Sequence, residues 1–89
     1  MKTTTDIDGN VIEQGSIVRV LSIRPSVIAR LSQGELKDVL SMKDAELEVY
    51  EVDEYGAAWV RKWWDEGEGK TYSHSLALTS AEMRLVGRP

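Results

Sequence analysis

Ala45-Glu46-Leu47-Glu48-Val49-Tyr50-Glu51-Val52, then Asp53-Glu54-Tyr55-Gly56, then Ala57-Ala58-Trp59-Val60-Arg61-Lys62-Trp63-Trp64, reads as two strands joined by a turn. In residues 45–52, Leu47 and Val49 fall on one side and Glu46, Glu48 and Tyr50 on the other, the period of two of a half-buried strand. Gly56 offers the positive φ that a tight reversal needs, so residues 57–64 are expected to return as the hairpin partner. There Ala58, Val60 and Trp64 share one face, while Trp59, Arg61 and Trp63 share the other. Two registers remain open. Either the core takes Val60 and Trp64, leaving Trp59 and Trp63 outside, or it takes Trp59 and Trp63 and exposes Trp64.

Working outward, residues 65–70 form a polar turn, and residues 71–78 a further strand with Tyr72, His74, Leu76 and Leu78 on one side. Thr79-Ser80-Ala81-Glu82 has the S/T-x-x-E form of a helix start, with room for one turn before the short strand Met83-Arg84-Leu85-Val86. Upstream, Gly15-Ser16 leads into a β-branched run over 17–23, read as the first strand and stopped by Pro25. Between the first strand and the second lies a helical excursion over about 26–41. Val27, Ile28 and Leu31, then Leu36, Val39 and Leu40, carry its apolar spacing, and Ser32-Gln33-Gly34-Glu35 has capping-box form. Helix 33–41 is its better half, and packing on the core accounts for its apolar side chains. Residues 1–10 are polar and expected to be flexible, with a turn at Asp8-Gly9-Asn10. The expected fold is mainly β: five short strands with one helical excursion and one 3-10 turn before the last strand.

This order resembles an SH3-like β-barrel, in which a long loop follows the first strand, a meander comes next, and a 3-10 turn introduces the last strand. The residues carrying the likeness are Gly15-Ser16-Ile17-Val18-Arg19-Val20, similar to the G-[DS]-x-V-x-V opening of many such barrels, and the ending from Leu76 to Val86. It spans roughly residues 11–87, which would then be the barrel domain. The eukaryotic signalling pattern is absent: no Ala-Leu-Tyr-Asp-Tyr motif is found, and a helix replaces the first loop. The chain looks more like small uncharacterised bacterial barrel proteins, or barrels serving as accessory pieces of larger enzymes. That likeness implies a fold and leaves function to the site.

Composition narrows the function classes. The 89 residues include no cysteine, which excludes disulfides and thiolate metal sites. The beginning, Met1 to Asp6, lacks the apolar region of a secretory signal, and no apolar run approaches a membrane span, so a cytoplasmic setting is expected. The formal net charge is −4, with acids gathered at Asp44, Glu46, Glu48, Glu51, Asp53 and Glu54 and again at Asp65, Glu66 and Glu68. Such a field disfavours nucleic-acid partners and favours basic ones, although most charge runs serve only as a solvated surface.

Three tryptophans on one strand, with Tyr50 and Tyr55 in the same hairpin, are the most suggestive feature. Tryptophan dominates interface energetics when it anchors a partner. The expected site is an aromatic strip of Tyr50, Tyr55, Trp59 and Trp63 with Arg61 between the indoles and Glu48 and Glu51 on the rim. The plainer alternative is that these aromatics close the ends of a core that has no phenylalanine. His74, the one histidine, stands in Ser73-His74-Ser75, but strand neighbours point to opposite faces, so a structural hydrogen bond is expected rather than catalysis. Gly67-Glu68-Gly69-Lys70 is a turn and lacks the spacing of a phosphate cradle. No enzyme activity, cofactor or metal is expected. The expected function is a protein- or peptide-binding module for a basic or proline-containing segment, the alternative a structural or oligomerising subunit, and single-stranded nucleic-acid binding comes third.

Overall fold

The structure, a computed structural model, describes residues 2–89. Seven strands, two short helices and one 3-10 turn follow in order: β1 (Thr4–Thr5), β2 (Val11–Ile12), β3 (Ile17–Val20), α1 (Pro25–Ile28), α2 (Gln33–Leu40), β4 (Glu46–Val52), β5 (Ala58–Gly67), β6 (Lys70–Leu78), the 3-10 turn Ser80–Glu82 and β7 (Met83–Gly87). Five strands form one antiparallel sheet in the order β6-β5-β4-β3-β7, and β1 and β2 pair separately.

The alternation in the sequence builds the core. Val18 and Val20 of β3, Val49 and Val52 of β4, Ala58 and Val60 of β5, Leu76 and Leu78 of β6, and Met83 of β7 all bury against one another, joined by Ile12 and Met42. Burial of Val49 and Val52 together breaks the period of two, and the ladder shows how. Val49 pairs with Val60 but Glu51 with Trp59, so β4 carries one extra residue, a bulge that turns Tyr50 and Glu51 outward in succession.

Two expectations need correction. The sheet does not close into a barrel, because β6 and β7 remain its two outer strands. The outer edge of β7 is already occupied by the N-terminal segment: Ile7 donates its amide to the Met83 carbonyl at 3.1 Å, and the Leu85 amide donates to Asp6 Oδ2 at 2.7 Å. The helical excursion is also two separate helices rather than one. Ser32 caps α2, accepting from the Glu35 amide at 3.3 Å and donating to Glu35 Oε1 at 3.0 Å. That cap holds Ser32 in extended backbone, φ −68° and ψ 165°, which interrupts any continuous helix. The first strand, expected over 17–23, ends at Val20, so Pro25 does not stop it; Pro25 instead opens α1 at its first turn, where its missing N–H costs nothing. Of the expected apolar stripe, Val39 is buried and Leu40 faces solvent.

Residues 4–10 have defined places. Thr4 and Thr5 pair with Ile12 and Val11. Asp6 is buried, and its Oδ1 accepts from the amides of Asp8 and Asn10 at 3.0 and 2.8 Å. Met1 lies outside the described residues. The β2–β3 turn passes through Gly15, whose φ of +95° admits glycine readily, and its Cα packs so closely on Pro89 that an added Cβ would lie 2.9 Å from the proline ring. In the 3-10 turn, Glu82 Oε1 accepts from the Thr79 amide and hydroxyl at 2.8 and 2.9 Å and meets Arg24 Nε at 3.5 Å.

Candidate binding face

The outer face of β4 and β5 gathers most of the aromatic strip. The guanidinium carbon of Arg61 lies 4.5 Å from the Tyr50 ring centroid and 5.6 Å from that of Trp63, so the cation sits between two π-faces. The bulge makes this possible, because it aims Tyr50 across at Arg61. Arg61 Nε also leans on Ser75 Oγ at 3.4 Å, a long contact that places Ser75 on this same face. Trp63 is 61% exposed, while Trp64 is half-buried and packs against the core. Of the two open registers, the one that keeps Val60 and Trp64 inside is the one formed.

Trp59 occupies the same face but has a second task. Its indole Nε1 donates to Asp53 Oδ2 at 2.9 Å, while Asp53 Oδ1 accepts from the amides of Tyr55 and Ala57 at 2.9 and 3.0 Å. The indole bond, followed by these amides, holds the Asp53 carboxyl below its ordinary value. One carboxylate thus ties the turn to the tryptophan. Tyr55, at the tip of that turn, is 88% exposed and makes no ring contact with Tyr50, Trp59 or Trp63 among the described residues. Glu48 and Glu51 are both exposed, Glu48 opposite Ile17 and Glu51 opposite Trp59. Glu51 and Tyr50 border a shallow concavity of about 310 Å³ with Lys2, Gln14 and Val52.

A second cluster, on the opposite face of the β5–β6 hairpin, was only partly visible in the sequence. Trp64 stacks on Tyr72 with centroids 5.2 Å apart and planes inclined by 10°, and His74 meets Trp64 edge-on at 5.7 Å. From α2, Asp38 approaches His74 Nε2 at 3.5 Å and accepts from the Tyr72 hydroxyl at 3.5 Å. Desolvation pushes the Tyr72 phenol up, and the carboxylates of Asp38 and Glu66 push it the same way. Lys62 lies 5.3 Å over the Trp64 ring. Positions 62, 64, 72 and 74 share a face by alternation alone, but nothing local in the sequence brings Asp38 to them. Ser73 and Ser75 flank His74 in the chain and belong to the other face.

A larger open cavity of about 480 Å³ lies along α1, lined by Arg24, Ser26, Val27, Arg30 and Leu31. Among the described residues no helix is long and apolar enough to cross a membrane, and no group of three His, Cys, Asp or Glu side chains could hold a metal ion. Comparison with family models, curated proteins and solved structures returns no match for this chain, so the face must be read from its own residues.

Proposed function

We propose that this protein is a non-catalytic binding module that receives an extended peptide segment across the outer face of β4 and β5. The supporting observation is Trp63, the largest exposed aromatic of the sheet, held beside an Arg61 that Tyr50 backs from the other side. A flat, pre-ordered aromatic platform loses little entropy on binding and suits proline rings and the stems of long side chains. Glu48 and Glu51 at its border favour a segment carrying Lys or Arg. The succession of long connection, meander, 3-10 turn and last strand supports an SH3-like origin for this open sheet, and a cytoplasmic setting suits a chain without cysteine. Single-stranded nucleic acid fits less well, because Lys62, which would have to join Arg61 in a positive groove, lies on the opposite face over Trp64.

The test is an array of extended peptides graded in Lys, Arg and Pro content, probed with wild type and Trp63→Ala. Trp63 is largely exposed, so the variant is expected to keep its amide NMR pattern while losing about 30-fold or more in affinity for basic, proline-containing peptides. Equal binding by the folded variant, or no peptide bound by wild type, would sink the reading.

A further inference from the structure

The two outer edges of the sheet are treated differently. The edge of β7 is covered by the N-terminal segment through Asp6 and Ile7. The edge of β6 is nine residues long, pairs among the described residues only with β5, and contains no proline, no acidic residue and one lysine at its start. Those are the devices by which natural edges avoid pairing, and β6 lacks all but the lysine. Its orientation follows from Ala77, whose carbonyl accepts from Arg24 Nη2 at 3.3 Å, a donor off the strand. Alternation in an antiparallel ladder then turns the amides and carbonyls of Thr71, Ser73, Ser75 and Ala77 away from β5.

We infer that this edge pairs with the same edge of a second copy, about a two-fold axis at Ser73. In that register Ser73 faces its own equivalent and Thr71 faces Ser75, while Ala77 stays with Arg24. Two features favour a second copy over a foreign strand. Trp63 is the cross-strand partner of Ser73, so the axis brings the two most exposed tryptophans of the pair to either side of two small serines. The antiparallel arrangement also carries the acidic tip of one β5–β6 hairpin, with Asp65, Glu66 and Glu68, to the Ala77 end of the other. There the α1 cavity presents Arg24 and Arg30. That cavity belongs to a stretch, residues 14–34, with no acidic residue in an otherwise acidic chain. Both contacts are satisfied twice by one axis. The paired sheet would join two candidate faces into one.

Sedimentation equilibrium across a wide concentration range, at low and high salt, tests this. The expected result is a mass rising from one chain toward two, with the dimer weakened by salt. Ser73→Pro removes an amide that the alternation turns away from β5 and is expected to leave a monomer. Glu68→Arg and Arg30→Glu should each weaken the dimer, and the double variant should restore it. Should Ser73→Pro fail to fold, as judged by its amide spectrum, the charge-reversal set decides, since neither residue lies in the strand. A monomer under all conditions overturns the inference. So does a dimer indifferent to all these changes, or a peptide that shifts the amides of Thr71, Ser73 and Ser75 without any dimer. Peptide binding by the monomeric variant is measured separately, so the fate of the platform and of the edge can be told apart.

Discussion

Asp6 shows how much one buried carboxylate can organise. Its two oxygens accept from Asp8, Asn10 and Leu85, the last of these 79 residues away, so one side chain shapes a local turn and attaches it to the final strand. Burial pushes its carboxyl up, but the bonds from Leu85, Asn10 and Asp8 outweigh that and hold it below the ordinary value. A folded value lower than the unfolded one means that the stabilisation is complete above about pH 4 and is lost as pH falls through the lowered folded value. Asp6→Ala strands several donors and is expected to cost about 2 kcal/mol, read from denaturant midpoints at neutral pH. The difference between variant and wild type should shrink progressively below pH 4, and a constant difference down to pH 2 would contradict this role.

At the scale of elements, the turns decide register. The β5–β6 hairpin reverses at Glu68 and Gly69, both at positive φ, 53° and 74°. That is the type I′ geometry, which asparagine-glycine fits best, and a glutamate there is strained. Glu68→Asn is expected to raise stability by roughly 0.5 kcal/mol, and Gly69→Ala to lower it by about 1 kcal/mol, in thermal unfolding at a dilution that keeps the chain monomeric. The strands β4 to β7 were legible because each alternates over a stretch long enough to show its period. The Ser32 and Thr79 capping sequences were legible for the same local reason. The bulge left one trace, the three-residue spacing of Val49 and Val52, which a strict alternation reads past. It is also what brings Tyr50 to Arg61, so that part of the site was legible in composition but not in mechanism. Tyr55 was grouped with the strip by proximity in sequence alone, and the turn carries it away.

For the molecule as a whole, what escaped the sequence is what depends on contacts between its ends. β1 and β2 are two residues each, too short for any periodicity, and their place is fixed by Asp6 and Ile7 reaching β7. The same contacts explain why the expected barrel stays open. Removing residues 1–10 would uncover the β7 edge while leaving most of the core residues in place. The truncated chain is expected to scatter light increasingly with time and concentration under conditions where the full chain stays clear. An equally clear solution would mean that the N-terminal segment does not guard that edge.

The packing of Gly15 against Pro89 has a practical side. Gly15 donates its amide to Val49 at 2.8 Å, and its neighbour Gln14 borders the concavity shared with Tyr50 and Glu51. Any affinity tag, fluorophore or fused domain joined after Pro89 therefore emerges at the border of the face proposed to receive a peptide. A short linker there amounts to a high effective concentration of whatever it carries, and a basic tag such as oligohistidine at mildly acidic pH becomes a tethered competitor. Labels and surface-immobilisation handles placed at that end would mask the very face they were meant to report.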